Sequence, residues 1–178
     1  MASAKTEYIR LAIALGVLLL ILGSFLLYLS LPYLSQKEVI LATMPVDPFD
    51  PLRGQYIIIG YEIGSVPKIQ DASVGDTVYI SLSEDSEGVS RYSSASLTQP
   101  NSGDFIRGTI TFIPDYSANM SIEYGIEQYF FERGATFNTR GMNVKVKLAD
   151  SGRAAIVKLL DENLKPVEIV YENKSWTA

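Results

Sequence analysis

The chain has 178 residues, a formal net charge of −5 and neither Cys nor His, so one compact domain plus an appendage is expected. Without those two residue types, disulfides, thiolate zinc sites, Cys nucleophiles and His general bases are excluded. Beyond residue 35 the sequence holds 13 basic and 19 acidic residues, a net of about −6 that argues against a nucleic-acid surface.

Residues 1–10 carry Lys5 and Arg10 and read as a short cytoplasmic segment. Leu11 to Leu31, LAIALGVLLLILGSFLLYLSL, then runs 21 residues without a charge. At roughly 1.5 Å per residue, a helix of that length spans about 30 Å, the thickness of a bilayer core. It is apolar on every face; Ser24 and Ser30 are its polar residues, each able to bond back to its own helix. A single transmembrane helix is expected over residues 11–33. Lys5 and Arg10 lie before it, and Tyr28 and Tyr33 sit near its far end, where amphipathic rings favour headgroups. That pattern predicts a cell-membrane protein with its N-terminus in the cytoplasm and residues 36–178 outside. A cleaved signal peptide is the rival reading, but the run exceeds a usual h-region and SLPYLSQ offers no clear small-x-small site. With no Cys near its end, a lipoprotein is not available.

Past Pro32 the texture changes from all-apolar to alternating. KEVILATM predicts a first strand, and YIIIGYEI, Tyr56 to Ile63, a second. In DTVYISLS, Val78, Ile80 and Leu82 point one way while Thr77, Tyr79 and Ser81 point the other. Ser83 to Asp104 is rich in Ser, Gly and charge and reads as a long loop, with VSRYSSASL as a candidate edge strand. Its acidic Glu84, Asp85 and Glu87 invite a calcium reading, but lack ligand spacing of the EF-hand kind, so a solvated hairpin tip is favoured. FIRGTITFI and MSIEYGIEQYFF are further extended candidates, with Gly108 and Gly125 as expected bulges or close approaches. In NVKVKLA, Val144, Val146 and Leu148 alternate with Lys145 and Lys147, and DSG turns the chain into RAAIVKLL as a hairpin. A turn at DENLKP leads to VEIVYE and extends the meander. The fold class is therefore mostly β: the transmembrane helix followed by one small β-barrel or β-sandwich-like domain over residues 36–178.

The stretch DPFDPLRGQYIIIGYEI closely resembles the signature of the GDYXXLXY family. Gly54, Gln55, Tyr56, Ile57, Ile58, Ile59, Gly60 and Tyr61 stand at its positions, with Gln55 in place of Asp and Ile59 in place of Leu. GDTVYI, DFIRGTI, YGIEQYFFERG and SGRAAIVKLL follow in the family's order, so the resemblance covers roughly residues 38 to 170; ATFNTRGM is shorter than the usual insertion. It implies a membrane-anchored protein of bacterial or archaeal type, without an assigned reaction, often encoded beside a multi-span membrane protein. A partner of that class, or another envelope protein, is thus implied.

The residues of the signature support an architectural corner. Asp47 and Asp50 each precede a proline, which favours extended backbone, and their carboxylates can accept backbone N–H groups or pair with Arg53. Gly54 permits positive φ or a close approach before the strand. On a regular strand Tyr56 and Tyr61 lie on opposite faces, one ring in the core and one outside. A competing binding reading has Asp47, Asp50, Arg53 and Glu127 converge on a cation, sugar or peptide terminus, with Tyr129 and Arg133 contributing. A third, Ser/Lys hydrolysis, is disfavoured: Thr43 and Met44 stand where a nucleophilic Ser would be needed, and the lysine motif is missing. No enzyme activity, cofactor or metal is expected. Asn119 and Asn173 satisfy the glycosylation pattern, which matters only in a host that glycosylates, and the sole Trp, Trp176, lies in a polar tail. The expected function is non-catalytic binding or scaffolding of a membrane or envelope protein. The alternative is an extracytoplasmic sensor or ligand-binding module.

Overall fold

The structure, a computed structural model, describes residues 4–44, 56–132, 135–136, 141–168 and 170–171. One long helix, α1 (Ala4–Leu34), precedes β1 (Glu38–Met44), β2 (Tyr56–Ile58), β3 (Gly60–Tyr61), a 3-10 turn (Glu62–Gly64) and β4 (Ser65–Pro67). Then come β5 (Thr77–Glu84), β6 (Ser90–Ser96), β7 (Asp104–Phe112), β8 (Asn119–Glu123) and β9 (Gln128–Phe130). The last are β10 (Ala135–Thr136), β11 (Asn143–Leu148), β12 (Ala154–Leu160) and β13 (Val170–Tyr171). The helix begins upstream of the apolar run because nothing in AKTEYIR breaks it; Glu7 and Arg10, three residues apart, pair at 3.6 Å on its surface.

Among the described residues, nine strands form one sheet in the order β12-β11-β1-β6-β5-β7-β8-β4, with β3 also on β1. Neighbours run antiparallel except β1 and β6, which meet in parallel at Leu41 and Ser90. The sheet curls into half a barrel. Register shifts at Ser81/Leu82, Ile110/Phe112 and Lys145/Val146 bend the strands, since an unpaired extra residue increases local twist. Two short ribbons, β2 with β9 and β10 with β13, complete the pairing.

Period-2 alternation fills the concave side. Val78 and Ile80 of β5, and Val144, Val146 and Leu148 of β11, are buried, whereas Lys145 and Lys147 are half-exposed. Leu41, on the central β1, is fully enclosed. Each such aliphatic side chain removed from water contributes roughly 1.5–3 kcal/mol.

Four sequence expectations change in detail. The segment read as a loop with an edge strand holds β6, an internal strand between β1 and β5. Its placement comes from neighbours on both sides and not from apolar alternation. The single strand expected over Tyr56–Ile63 breaks into β2, β3 and the 3-10 turn, although burial still alternates, with Ile57, Ile59, Tyr61 and Ile63 inside. MSIEYGIEQYFF is likewise two strands, because Gly125 adopts φ +79 between them; that glycine is a turn and meets no close neighbour. Gly108, by contrast, is the close approach expected of it, as a Cβ there would lie 2.4 Å from Ile122 Cγ2 and 2.9 Å from Tyr124 Cδ1. Finally, DENLKP does turn, with Asp161 N–H bonding Lys165 C=O at 2.8 Å. Beyond an isolated bridge between Leu160 and Pro166, however, β13 pairs with β10 and not with the meander.

Candidate functional site

The signature strand meets the segment YGIEQYFF in a buried clasp. Tyr61 Oη donates to the Ile126 carbonyl at 2.8 Å, and Tyr124 Oη donates to the Ile63 carbonyl at 2.5 Å. Each tyrosine thus reaches past the other to a carbonyl two residues beyond it. Their rings meet edge to face with centroids 6.4 Å apart, the arrangement favoured by the ring quadrupole. Glu127 braces its own turn and joins the two segments: its Oε1 accepts the Tyr124 N–H at 2.5 Å within YGIEQYFF, and its carbonyl accepts the Ile59 N–H of the signature strand at 2.7 Å. Burial, and secondarily the negative charge of Glu127, pushes both phenols well above the usual tyrosine range. Both are therefore held as neutral donors across the physiological range.

A second constellation lies where α1 meets the sheet. Proline has no N–H, so Pro32 leaves the Tyr28 carbonyl, four residues back, without its helical donor. Arg153, at the start of β12's hairpin arm, supplies one: its Nη1 donates to that carbonyl at 2.9 Å, and its guanidinium carbon lies 4.2 Å from the Tyr28 ring centroid. Lys147 Nζ donates to the Tyr33 carbonyl at 3.1 Å, placing a second cation at the negative end of the helix. Ser35 Oγ then donates to the Leu148 carbonyl at 2.5 Å, and Leu148 N–H to Lys37 C=O at 3.0 Å. Beside this joint opens a cleft of about 390 Å³, lined among others by Leu29, Pro32, Tyr33, Tyr129, Phe130 and Arg153.

Of the residues singled out by sequence, Tyr61 and Glu127 belong to the clasp. Tyr56 and Tyr129 sit on the β2–β9 ribbon, half-buried, with the Tyr56 ring 5.7 Å from that of Phe130. Tyr61 faces the core and Tyr56 the opposite side, as the strand's alternation requires. Asp47, Asp50, Arg53, Gly54, Gln55 and Arg133 lie outside the described residues, as do Asn173 and Trp176. Thr43 Oγ1 donates to the Met142 carbonyl at 2.5 Å. Asp85 organises a hairpin tip: its Oδ1 accepts the N–H groups of Glu87 and Val89 at 2.9 and 3.0 Å, and its Oδ2 accepts Arg91 Nε at 2.8 Å. Those bonds, that of Arg91 first, hold its carboxyl below the usual range. Among the described residues no group of three or more Asp, Glu, His or Cys is placed to hold a metal.

Sequence reasoning missed Tyr124, Phe130, Lys147 and Arg153. Only one local signal pointed to the joint, the carbonyl that Pro32 leaves open.

Residues 18–159 match the family model described as GDYXXLXY protein. The chain belongs to the GDYXXLXY family. That match takes in the latter part of α1, the clasp and the joint. No curated protein and no solved structure matches the chain.

Proposed function

We propose that this GDYXXLXY protein is a membrane-anchored, non-catalytic binding protein. On this reading its β-domain stands outside the cytoplasm and engages a membrane or envelope protein. The observation that carries the reading is the seating of α1: the apolar stretch within Thr6–Leu34 is unburied by the rest of the chain, while its final turns are bonded to Lys147 of β11 and to Arg153, just before β12. A helix apolar on all sides is stable only in an apolar solvent. Lys5 and Arg10 ahead of the run support a cytoplasmic N-terminus. The bonds at the joint hold the domain against the bilayer, which raises its effective concentration toward any neighbour there. With both buried phenols committed to carbonyls and no His or Cys in the chain, protein surface rather than titrating chemistry supports recognition.

Carbonate washing of native membranes is expected to leave the chain in the pellet, and protease added to intact cells to reach the β-domain. Purification in mild detergent followed by mass spectrometry should recover a stoichiometric membrane partner. Recovery of the chain alone, together with a thermal shift produced by a sugar, cation or peptide, would instead favour ligand sensing.

A further inference from the structure

We infer that the outward face of the β2–β9 ribbon is a second membrane contact, resting on the lipid headgroup region beside the point where α1 leaves the bilayer. The inference rests on the reading of α1 as a span and adds a surface to it. In an antiparallel ladder, directly opposed residues share a face. Tyr56 opposes Phe130 and Ile58 opposes Gln128, so these four point one way while Ile57 and Tyr129 point the other. The inner pair packs on the core. A sheet face left to water normally carries polar residues, yet here Phe130 is 69% exposed and Ile58 47%.

Position and charge specify what covers that face. Gln128 and Phe130 line the cleft together with Leu29, Pro32 and Tyr33 of α1. Counted from Leu11 at roughly 1.5 Å per residue, the hydrocarbon thickness of about 30 Å is used up near Leu31. Phe130 therefore stands level with the boundary at which aromatic side chains concentrate. In an acidic chain, none of the described residues lining the cleft carries a carboxylate, and Arg153 is the one charged side chain among them. A cationic and aromatic lining of this kind suits a phosphate-bearing lipid surface.

Bromolipid quenching of tryptophan tests this on the full chain, with Trp176→Phe removing the native indole. Phe130→Trp, Ile58→Trp, Leu20→Trp and Tyr116→Trp would each be reconstituted into phosphatidylcholine vesicles containing brominated phosphatidylcholine. Leu20 reports the span. Tyr116, 88% exposed, precedes β8, which runs from there toward Gly125 at the cleft, so it reports the far end of the domain. Emission from Phe130→Trp and Ile58→Trp is expected to fall by about half, as for interfacial rings, with Tyr116→Trp unchanged. Quenching of Leu20→Trp alone, with acrylamide reaching both ribbon reporters, overturns the inference and leaves the anchor standing. Ribbon reporters shielded from lipid and acrylamide alike also overturn it, since protein would then cover the face. An unquenched Leu20→Trp removes the span itself.

Discussion

The tyrosine clasp and the joint at the foot of α1 use the same kind of bond, a side-chain donor meeting a backbone carbonyl, in opposite surroundings. In the clasp, donors and acceptors are buried, so losing one leaves a polar group that water cannot reach, a cost of about 1–3 kcal/mol. At the joint, the bonds from Arg153 and Lys147 lie on the protein's surface; at the headgroup boundary, polar headgroups and water can replace them, and each contributes about 1 kcal/mol or less. The difference separates two jobs performed within one family pattern. Losing Tyr61 or Tyr124 is expected to destabilise the fold of the domain, whereas losing Arg153 or Lys147 is expected to loosen a folded domain on its helix.

The comparison breaks most severely at Gly108, whose missing side chain leaves room for the Tyr124 ring and Ile122 against β7. Gly108→Val would drive a side chain into Ile122, the Glu123 carbonyl at 2.9 Å and Tyr124, costing about 3 kcal/mol or more and abolishing a cooperative melt. Gly125→Ala, where only the positive φ of +79 is at stake, is expected to cost about 1–2 kcal/mol and leave a sharp transition. Equal melting temperatures for the two variants would contradict the packing role.

Alkali provides the next test. Both phenols are raised from their ordinary 10.0, so the unfolded chain releases two protons that the folded chain keeps. Stability should hold below pH 10.0 and then fall by up to about 2.7 kcal/mol per pH unit as pH rises further. Tyr61→Phe should halve that slope in denaturant titrations across this range. At neutral pH, Tyr61→Phe and Tyr124→Phe should each cost about 1–3 kcal/mol. Because the rings touch and Glu127 ties their segments together, the double variant is expected to cost less than the sum of the single variants.

How far these regions were legible in the sequence follows from the range of their contacts. β5, β11 and the hairpin into β12 could be read because strand alternation and turn chemistry are local, and Val78, Val144 and Val146 declare their faces within a few residues. The same alternation separates Tyr56 from Tyr61. It could not reveal that Tyr61 and Tyr124 each donate to a carbonyl two residues beyond the other, since no local pattern encodes a bond spanning 65 residues. β6 was legible as a candidate edge strand, but SRYSSAS has few apolar residues to show its place, which is set by the ladder to β5 and one parallel pair with β1, Leu41 and Ser90. The apolar helix was the plainest feature of all, yet what meets its end, Arg153, lies 125 positions away.

The smallest expected effect is also the most diagnostic of the joint. Arg153→Ala should change the melting temperature of the β-domain little, because the lost bond is exposed and worth about 1 kcal/mol or less. It should, however, loosen the domain on its helix and speed protease cleavage between Leu34 and Glu38 in the reconstituted chain. Pro32→Ala supplies the logical control, because alanine restores the N–H that the Tyr28 carbonyl lacks and returns that acceptor to its own helix. If Arg153 acts by filling the vacancy left by Pro32, removing it in the Pro32→Ala background should have a different, smaller effect on cleavage than in the native chain. Identical increments in both backgrounds would mean that the guanidinium acts through the Tyr28 ring alone, and Tyr28→Leu would then reproduce the loss.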